Sequence, residues 1–199
     1  MKNVLIIGAG GIASYFFEFL EDMISKEQIP INLYTIADFD LVETKNIKYQ
    51  NFGVNDVGKN KANVLVKRSK FKSMFEAIDK RINSEDLSAY DGFIICADNG
   101  RIRKEIYEHW KVNKYKFFID LRSEGRTMAF FTSNMQEDKL DETLNNLKLD
   151  EEGSCQLTHE LENNIIQFGN RIIASIGIQL FLNYFRDEKD MLPSKVMVI

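Results

Sequence analysis

Cysteine, histidine and proline are scarce in this chain, with two of each in 199 residues. Cys96 and Cys155 stand far apart and form no C-x-x-C pair, so neither a disulfide framework nor a cysteine-based zinc site is readable. That usage fits a reducing, intracellular setting. Also missing is any apolar run approaching eighteen residues, which gives no membrane span, and Met1-Lys2-Asn3 leads straight into a strand with no signal peptide before it. Basic residues do not predominate: 26 Lys and Arg against 30 Asp and Glu leave a net charge of −4, so nothing points to nucleic acid or to a membrane surface. The composition therefore predicts a soluble cytoplasmic protein without a repeat or a low-complexity linker.

What is present is apolar and aromatic. Hydrophobic residues make up 44% of the chain and include 15 Phe. That suffices for a real core, since a domain of this length buries roughly 70% of its unfolded surface. One α/β unit of 199 residues is expected, with residues 1–126 as a nucleotide-binding core and 127–199 as a crossover loop, a long helix and a C-terminal strand.

Val4-Leu5-Ile6-Ile7 has the short apolar pattern of a buried parallel strand. A helical stripe follows from about Ile12 (Phe16, Phe17, Leu20, Met23) until Pro30, and Ile31–Ala37 reads as a second strand. Gly58–Phe71 reads as a helix, Phe75–Arg81 as a weak third strand, and Ser84 as the cap of a short helix through Ala89. Gly92–Ala97 is the next buried strand, Arg101–Val112 a helix and Phe117–Leu121 a strand. Thr127–Thr132 then suggests an extra strand paired antiparallel with Lys195–Ile199, across an acidic stretch from Gln136 to Gly153 that holds one helical piece. Leu157–Phe185 reads as one long helix, apolar over enough of its circumference to lie in the core or against a second copy. Strands alternating with helices imply a Rossmann-like, mostly parallel sheet covered on both faces, with extra antiparallel strands near the C-terminus.

Ligands of such sheets bind beyond the carboxyl ends of the strands, and Gly8–Gly11, Asp38 and Asp98 fall at three of those ends. Gly8-x-Gly10-x-x-Ala13, between a strand and a helix, suits a phosphate: glycines admit close backbone approach, and the helix N-terminus offers unpaired N–H groups. A tight turn that binds nothing would look the same. Asp38 can accept hydrogen bonds from a ribose diol in NAD or ATP alike. Asp40 fits either the same site or an ordinary surface loop. Gly53-x-x-x-x-Gly58-Lys59-Asn60 nearly spells a P-loop, but Asn60 replaces the magnesium-binding hydroxyl and no apolar strand precedes Gly53, so the match is coincidental.

GAGGIAS at Gly8, DFDLVETKNIKYQ at Asp38, GKNKA at Gly58 and CADNGRIR at Cys96 together resemble the adenylating domain shared by the ThiF and MoeB proteins and the ubiquitin-activating enzymes. That family shows GxGGxGS, DxDxVxxSNLxRQ, GxxKA and TDN with an arginine five residues beyond the Asp. The resemblance is good over about residues 3–126 and looser afterwards. It implies a ThiF-type fold and ATP-dependent adenylation of the C-terminal glycine of a small ubiquitin-like or sulfur-carrier protein, in a homodimer. In its terms Asp98 holds Mg2+, Lys61 neutralises charge near the α-phosphate and Asn46 bonds phosphate oxygens. Asp38, with Asp40 beside it, holds the ribose, and Gly8, Gly10 and Gly11 cradle adenosine and phosphate.

Residue by residue the bland readings stay open: Lys61 as a helix-surface lysine, Asp98 as a capping acid. Tyr49 stands where the family has an arginine, with Lys48 a candidate substitute cation, and Ala13 replaces the third glycine. Arg103 matches the arginine after the TDN-like segment. The family's zinc-binding C-x-x-C pairs are missing. Some relatives carry a thioester-forming cysteine in the region of Cys155, which otherwise reads as an incidental surface thiol. Cys96 reads as packing, and His159 as structural or solvated. Two other functional classes share parts of the pattern: a non-catalytic nucleotide- or partner-binding scaffold, favoured by Tyr49, and an NAD(P)-dependent oxidoreductase, which leaves Lys61 and Asp98 without a role.

Overall fold

The structure is a computed structural model that describes residues 2–30, 32–114, 116–147, 158–163, 165–187 and 192–198. Strand β1 (Asn3–Ile7) leads through the glycine turn into helix α1 (Gly11–Ser25), and β2 (Leu33–Ala37) returns parallel to β1. Glu27 turns the chain off α1 with a φ of 56°, the left-handed exit common at helix C-termini. Helix α2 (Lys61–Arg68), β3 (Phe75–Ile78), β4 (Gly92–Ile95), α3 (Gly100–Val112) and β5 (Phe117–Glu124) continue the alternation. β6 (Thr127–Thr132), α4 (Glu137–Asn145), α5 (Thr158–Glu162), α6 (Gly169–Phe185) and β7 (Ser194–Val198) complete the described chain.

The strands form one sheet in the order β3-β2-β1-β4-β5-β6-β7, the first five parallel and the last two antiparallel. This is the Rossmann-like architecture expected, with the extra antiparallel pair where the sequence suggested it. Apolar side chains fill both faces. Phe16, Phe17, Tyr34, Phe75 and Phe181 pack under α1 and α6. On the other side Phe93, Ile106, Tyr107, Trp110 and Phe118 pack under α3.

Several boundaries differ from the sequence reading for local reasons. Helix α2 starts at Lys61 rather than Gly58, because the Asn60 side chain accepts the Asn63 N–H and caps it. The Ser84–Ala89 segment is a 3₁₀ turn capped by Asn83, whose Oδ1 accepts from Glu85 and Asp86. The long helix expected over Leu157–Phe185 is two helices, with a break between α5 and α6. Gly169, which opens α6, lies so close to the β5–β6 hairpin that a Cβ there would stand 2.6 Å from Ser123 Oγ. The apolar face of α6 covers α1, β5 and β6, so the core accounts for its apolar stripe. No helix among the described residues is long and apolar enough to cross a membrane.

Candidate functional site

The strand order reverses between β1 and β4, and there the carboxyl ends of β1, β2 and β4 open into a cleft of about 740 Å³. β1 and β2 are tied at its floor. Gly8 N–H donates to the Ala37 carbonyl at 2.9 Å, and Ala9 N–H donates to Asp38 Oδ2 at 2.6 Å. Gly8 carries φ +85°, and a Cβ there would meet the Ala97 backbone at 3.0 Å, so both turn geometry and the neighbouring strand exit require glycine. Gly10 and Gly11 border the cleft, and Gly10 provides no side-chain cap, so the α1 N-terminus presents its unpaired N–H groups to it.

Asp38 borders the cleft but is only 9% exposed. Burial pushes its carboxyl above the ordinary value, and the N–H groups of Ala9 and Asp40 work against that. Its Oδ1 accepts the Asp40 N–H at 2.8 Å. Asp38 therefore holds both the glycine turn and the cleft lip. Asp40 forms that lip. Its half-exposed carboxylate pairs with Lys61 Nζ at 2.9 Å. Lys61, 6% exposed, is the buried cation of the cleft wall rather than a helix-surface lysine.

Asn46 borders the cleft on a 3₁₀ turn (Thr44–Lys48) and is buried. Its carboxamide holds its own loop, accepting the Glu43 N–H at 2.8 Å and donating to the Tyr49 hydroxyl at 3.3 Å. Asp98 and Asn99 enter from the exit of β4, where Asn99 caps α3 by accepting the Arg101 N–H at 2.8 Å.

Eight of the residues singled out in the sequence thus meet at one cleft: Gly8, Gly10, Gly11, Asp38, Asp40, Asn46, Lys61 and Asp98. Three do not. Lys48 is not among its lining; Lys45, three residues earlier on the turn, is. Arg103 belongs to a different structure altogether. It is 7% exposed, and its Nε meets Asp120 Oδ1 at 3.0 Å. The wholly buried Asp120 also accepts from the Tyr107 hydroxyl at 2.6 Å and from Arg122 at 2.7 Å. Burial would raise the Asp120 carboxyl, but the two guanidiniums outweigh it and hold the carboxyl below the ordinary value, while burial and that carboxylate push the Tyr107 phenol up. Arg103 is therefore a core counter-ion, not a cleft residue. Cys155 lies outside the described residues, and His159 is exposed on α5.

The sequence reading missed other cleft residues. Phe39 and Arg81 border it, the guanidinium 4.6 Å from the ring centroid, as do Lys80 and Arg101. Strand-end logic finds them once β3 is seen to stop at Ile78 and α3 to begin at Gly100. Gln50 also borders the cleft, buried, with no hydrogen-bond partner for Oε1. Among the described residues no three metal-ligating side chains gather.

The ThiF family profile matches residues 1–195. This chain belongs to the ThiF family. No curated protein matches the sequence. Solved structures do. E. coli MccB with ATP superposes with a TM-score of 0.69 at 17% identity, covering 100% of this chain and 60% of that one. E. coli MccB with AMPCPP and selenomethionine MccA gives 0.69 at 16%, covering 100% and 61%. PaaA gives 0.67 at 16%, again covering 100% and 61%. At such identities the likeness establishes the ThiF-type fold, and this chain spans about 60% of the length of these neighbours.

Proposed function

We propose that the cleft binds ATP and that the protein adenylates the C-terminal carboxylate of a small partner, a ubiquitin-like or sulfur-carrier protein or a peptide. The observation that carries the reading is the buried Lys61, set into the same cleft as an uncapped glycine turn and Asp98, in a chain of the ThiF family. MccB, the neighbour of like fold, has been crystallised with ATP and with MccA. The family assignment weighs against an NAD(P)-dependent oxidoreductase.

The chemistry asks little of the protein in proton transfer. A carboxylate oxygen of the partner attacks the α-phosphorus, a C–O–P linkage forms, and the bond to the β-phosphate breaks to release pyrophosphate. The nucleophile is already ionised, so no base is needed. Required instead are alignment and relief of repulsion between anions. The α1 N-terminus and Lys61 supply positive potential on one wall. Asp38 in this reading holds the ribose, and the Phe39 ring with Arg81, both on the cleft border, takes the base. In this reading Lys61 exchanges its Asp40 partner for phosphate oxygens. The residues suit Mg2+ as well. That ion takes one or two carboxylates and completes its shell with phosphate oxygens and water, so Asp98 would serve without a cluster of protein ligands. Its charge would further offset that of the phosphates.

Thermal unfolding with Mg-ATP, with NAD, and with neither tests the site. A ligand at a hundred times its Kd adds about 2.7 kcal/mol. The expected result is stabilisation by Mg-ATP, reduced in Lys61→Met, with the magnesium-dependent part lost in Asp98→Ala. Stabilisation by NAD alone overturns the reading. Pyrophosphate release on adding a candidate partner separates enzyme from scaffold.

A further inference from the structure

Asn60 lies outside the cleft wall, yet four hydrogen bonds converge on its side chain. Nδ2 donates to the Asp38 carbonyl at 2.7 Å, to Asp79 Oδ1 at 2.9 Å and to the Asp40 carbonyl at 3.3 Å. Oδ1 accepts the Asn63 N–H at 2.9 Å and so starts α2. The backbone beside it repeats the tie, with Lys61 N–H donating to the Asp40 carbonyl at 2.9 Å and Leu41 bridging to Asn60. One 7% exposed carboxamide thus joins the exit of β2, the cleft lip, the exit of β3 and the first turn of the helix that carries Lys61. The residue that spoils the P-loop resemblance occupies this position.

We propose that Asn60 is a positioning residue of the nucleotide cleft, fixing the spacing of the Asp40 lip and Lys61 and hence the grip on the phosphates. The inference rests on the ATP-site reading above. The geometry divides the consequences. Asp38 keeps independent anchors, its N–H to the Ile78 carbonyl at 3.1 Å and its carboxylate on Ala9 N–H. The lip keeps backbone ties as well, Lys61 N–H on the Asp40 carbonyl at 2.9 Å and Val42 N–H on the Lys59 carbonyl at 2.8 Å. What Asn60 adds is a side-chain link from the lip and the first turn of α2 to Asp79 at the exit of β3. Losing its two N–H donors therefore loosens the phosphate end of the cleft and leaves the nucleoside end in place.

Asn60→Asp keeps the shape and the helix cap, removes both donors and sets a second carboxylate against Asp79. Adding Asp79→Asn restores one amide–carboxylate bond between the two positions but leaves the Asp38 carbonyl without its Asn60 donor and the Asp40 carbonyl with Lys61 N–H alone. Kd values for ATP, pyrophosphate and adenosine would be measured by calorimetry, with a urea midpoint for each protein. The expected result for Asn60→Asp is ATP and pyrophosphate binding weakened about tenfold or more, with adenosine changed far less. The double variant should regain much of the lost urea midpoint but not the ATP affinity. Equal weakening of ATP and adenosine, or recovery of ATP affinity together with stability, makes Asn60 a purely structural tie and overturns the inference. Wild-type affinities retained in Asn60→Asp do the same while leaving the ATP site standing. Failure of the wild-type protein to bind ATP or adenosine overturns the site reading, and this inference with it. Should the aspartate variant not fold, Asn60→Ser, which keeps a cap and a single short donor, carries the same comparison.

Discussion

Replacing Asp120 by Asn tests the assignment of Arg103 to the core. The wild-type carboxylate has no exposure and faces Arg103, Arg122 and the Tyr107 hydroxyl. The amide keeps the shape and can still accept from Tyr107, but it cancels the charge that balances two cations. Arg122, with 26% of its side chain exposed and stacked 4.3 Å over the Phe131 ring, can turn its guanidinium to water. Arg103, at 9%, cannot. One stranded buried charge is thus the main cost, and breaking such pairs costs about 3–5 kcal/mol. Re-solvation of Arg122 places this case near 3. At roughly 2–4 °C per kcal/mol for a chain of this size, the midpoint should fall by about 6–12 °C. Urea titration by circular dichroism checks the value, and pairing Asp120→Leu with Arg103→Met should cost less than Asp120→Leu alone. A loss under about 1 kcal/mol in Asp120→Asn, or a double variant worse than the single, refutes the reasoning and returns Arg103 to the list of residues free for catalysis.

Two further outcomes follow from the geometry. A Cβ on Gly11 would stand 2.3 Å from Asn170 Nδ2 at the start of α6, so Gly11→Ala should destabilise by about 1–3 kcal/mol, and by much less in an Asn170→Ala background; urea midpoints of the four proteins that simply add exclude that contact. Acid should act on two carboxylates in opposite directions. Asp120 is held below its ordinary value, so the stability it gives is present above the usual carboxylate range and lost as pH falls through its folded value. Asp38 is raised by burial, so its contribution is present in acid and lost as pH rises through its folded value. Urea midpoints between pH 7 and 3 should fall less steeply at the acid end in Asp120→Asn than in wild type, and Asp38→Asn should lose a gain that wild type shows on moderate acidification. Parallel curves for all three proteins exclude both assignments.

The cleft was legible wherever backbone physics dictates residue type. A strand followed by Gly8-x-Gly10-Gly11, an acid closing β2 and a lysine opening α2 each have a local reason, and topology brings them together. What was not legible depended on tertiary approach. The break before α6 falls next to Gly169, which packs against the β5–β6 hairpin with no room for a Cβ, a tertiary contact that no apolar periodicity reveals. Arg103 is the instructive case, since spacing to a family motif outweighed a signal already in the sequence. With Ile106, Tyr107 and Trp110 it falls at i, i+3, i+4 and i+7, the buried stripe of α3. A charged residue on that stripe calls for a buried partner, and the one acid inside the Phe117–Leu121 run is Asp120.

Tyr49 sharpens the electrostatics of the cleft. Where the resemblance expects an arginine stands a phenol, 8% exposed and bonded to Asn46. A buried arginine there would need a resident carboxylate, as Arg103 needs Asp120, and Asn46 is neutral. Positive charge around the cleft lies elsewhere, on Lys45, Lys80, Arg81 and Arg101 besides Lys61. Lys45 pairs with Glu43 and Lys80 with Asp86 in largely exposed bridges, and Arg81 rests on the Phe39 ring. Exposed pairs of this kind contribute little to stability, so an incoming polyanion can draw such side chains to itself at small cost. In the ATP-site reading, exchanging the arginine for Tyr49 thus leaves the cleft its cations and changes their character, from a preset wall charge to long side chains that can turn toward a polyanion. Solvent ions screen such charges far more than they screen the buried Lys61. In the ATP-site reading, the fixed part of the phosphate grip is therefore Lys61 with the α1 N-terminus, and the lysines and arginines at the rim set how strongly binding responds to salt.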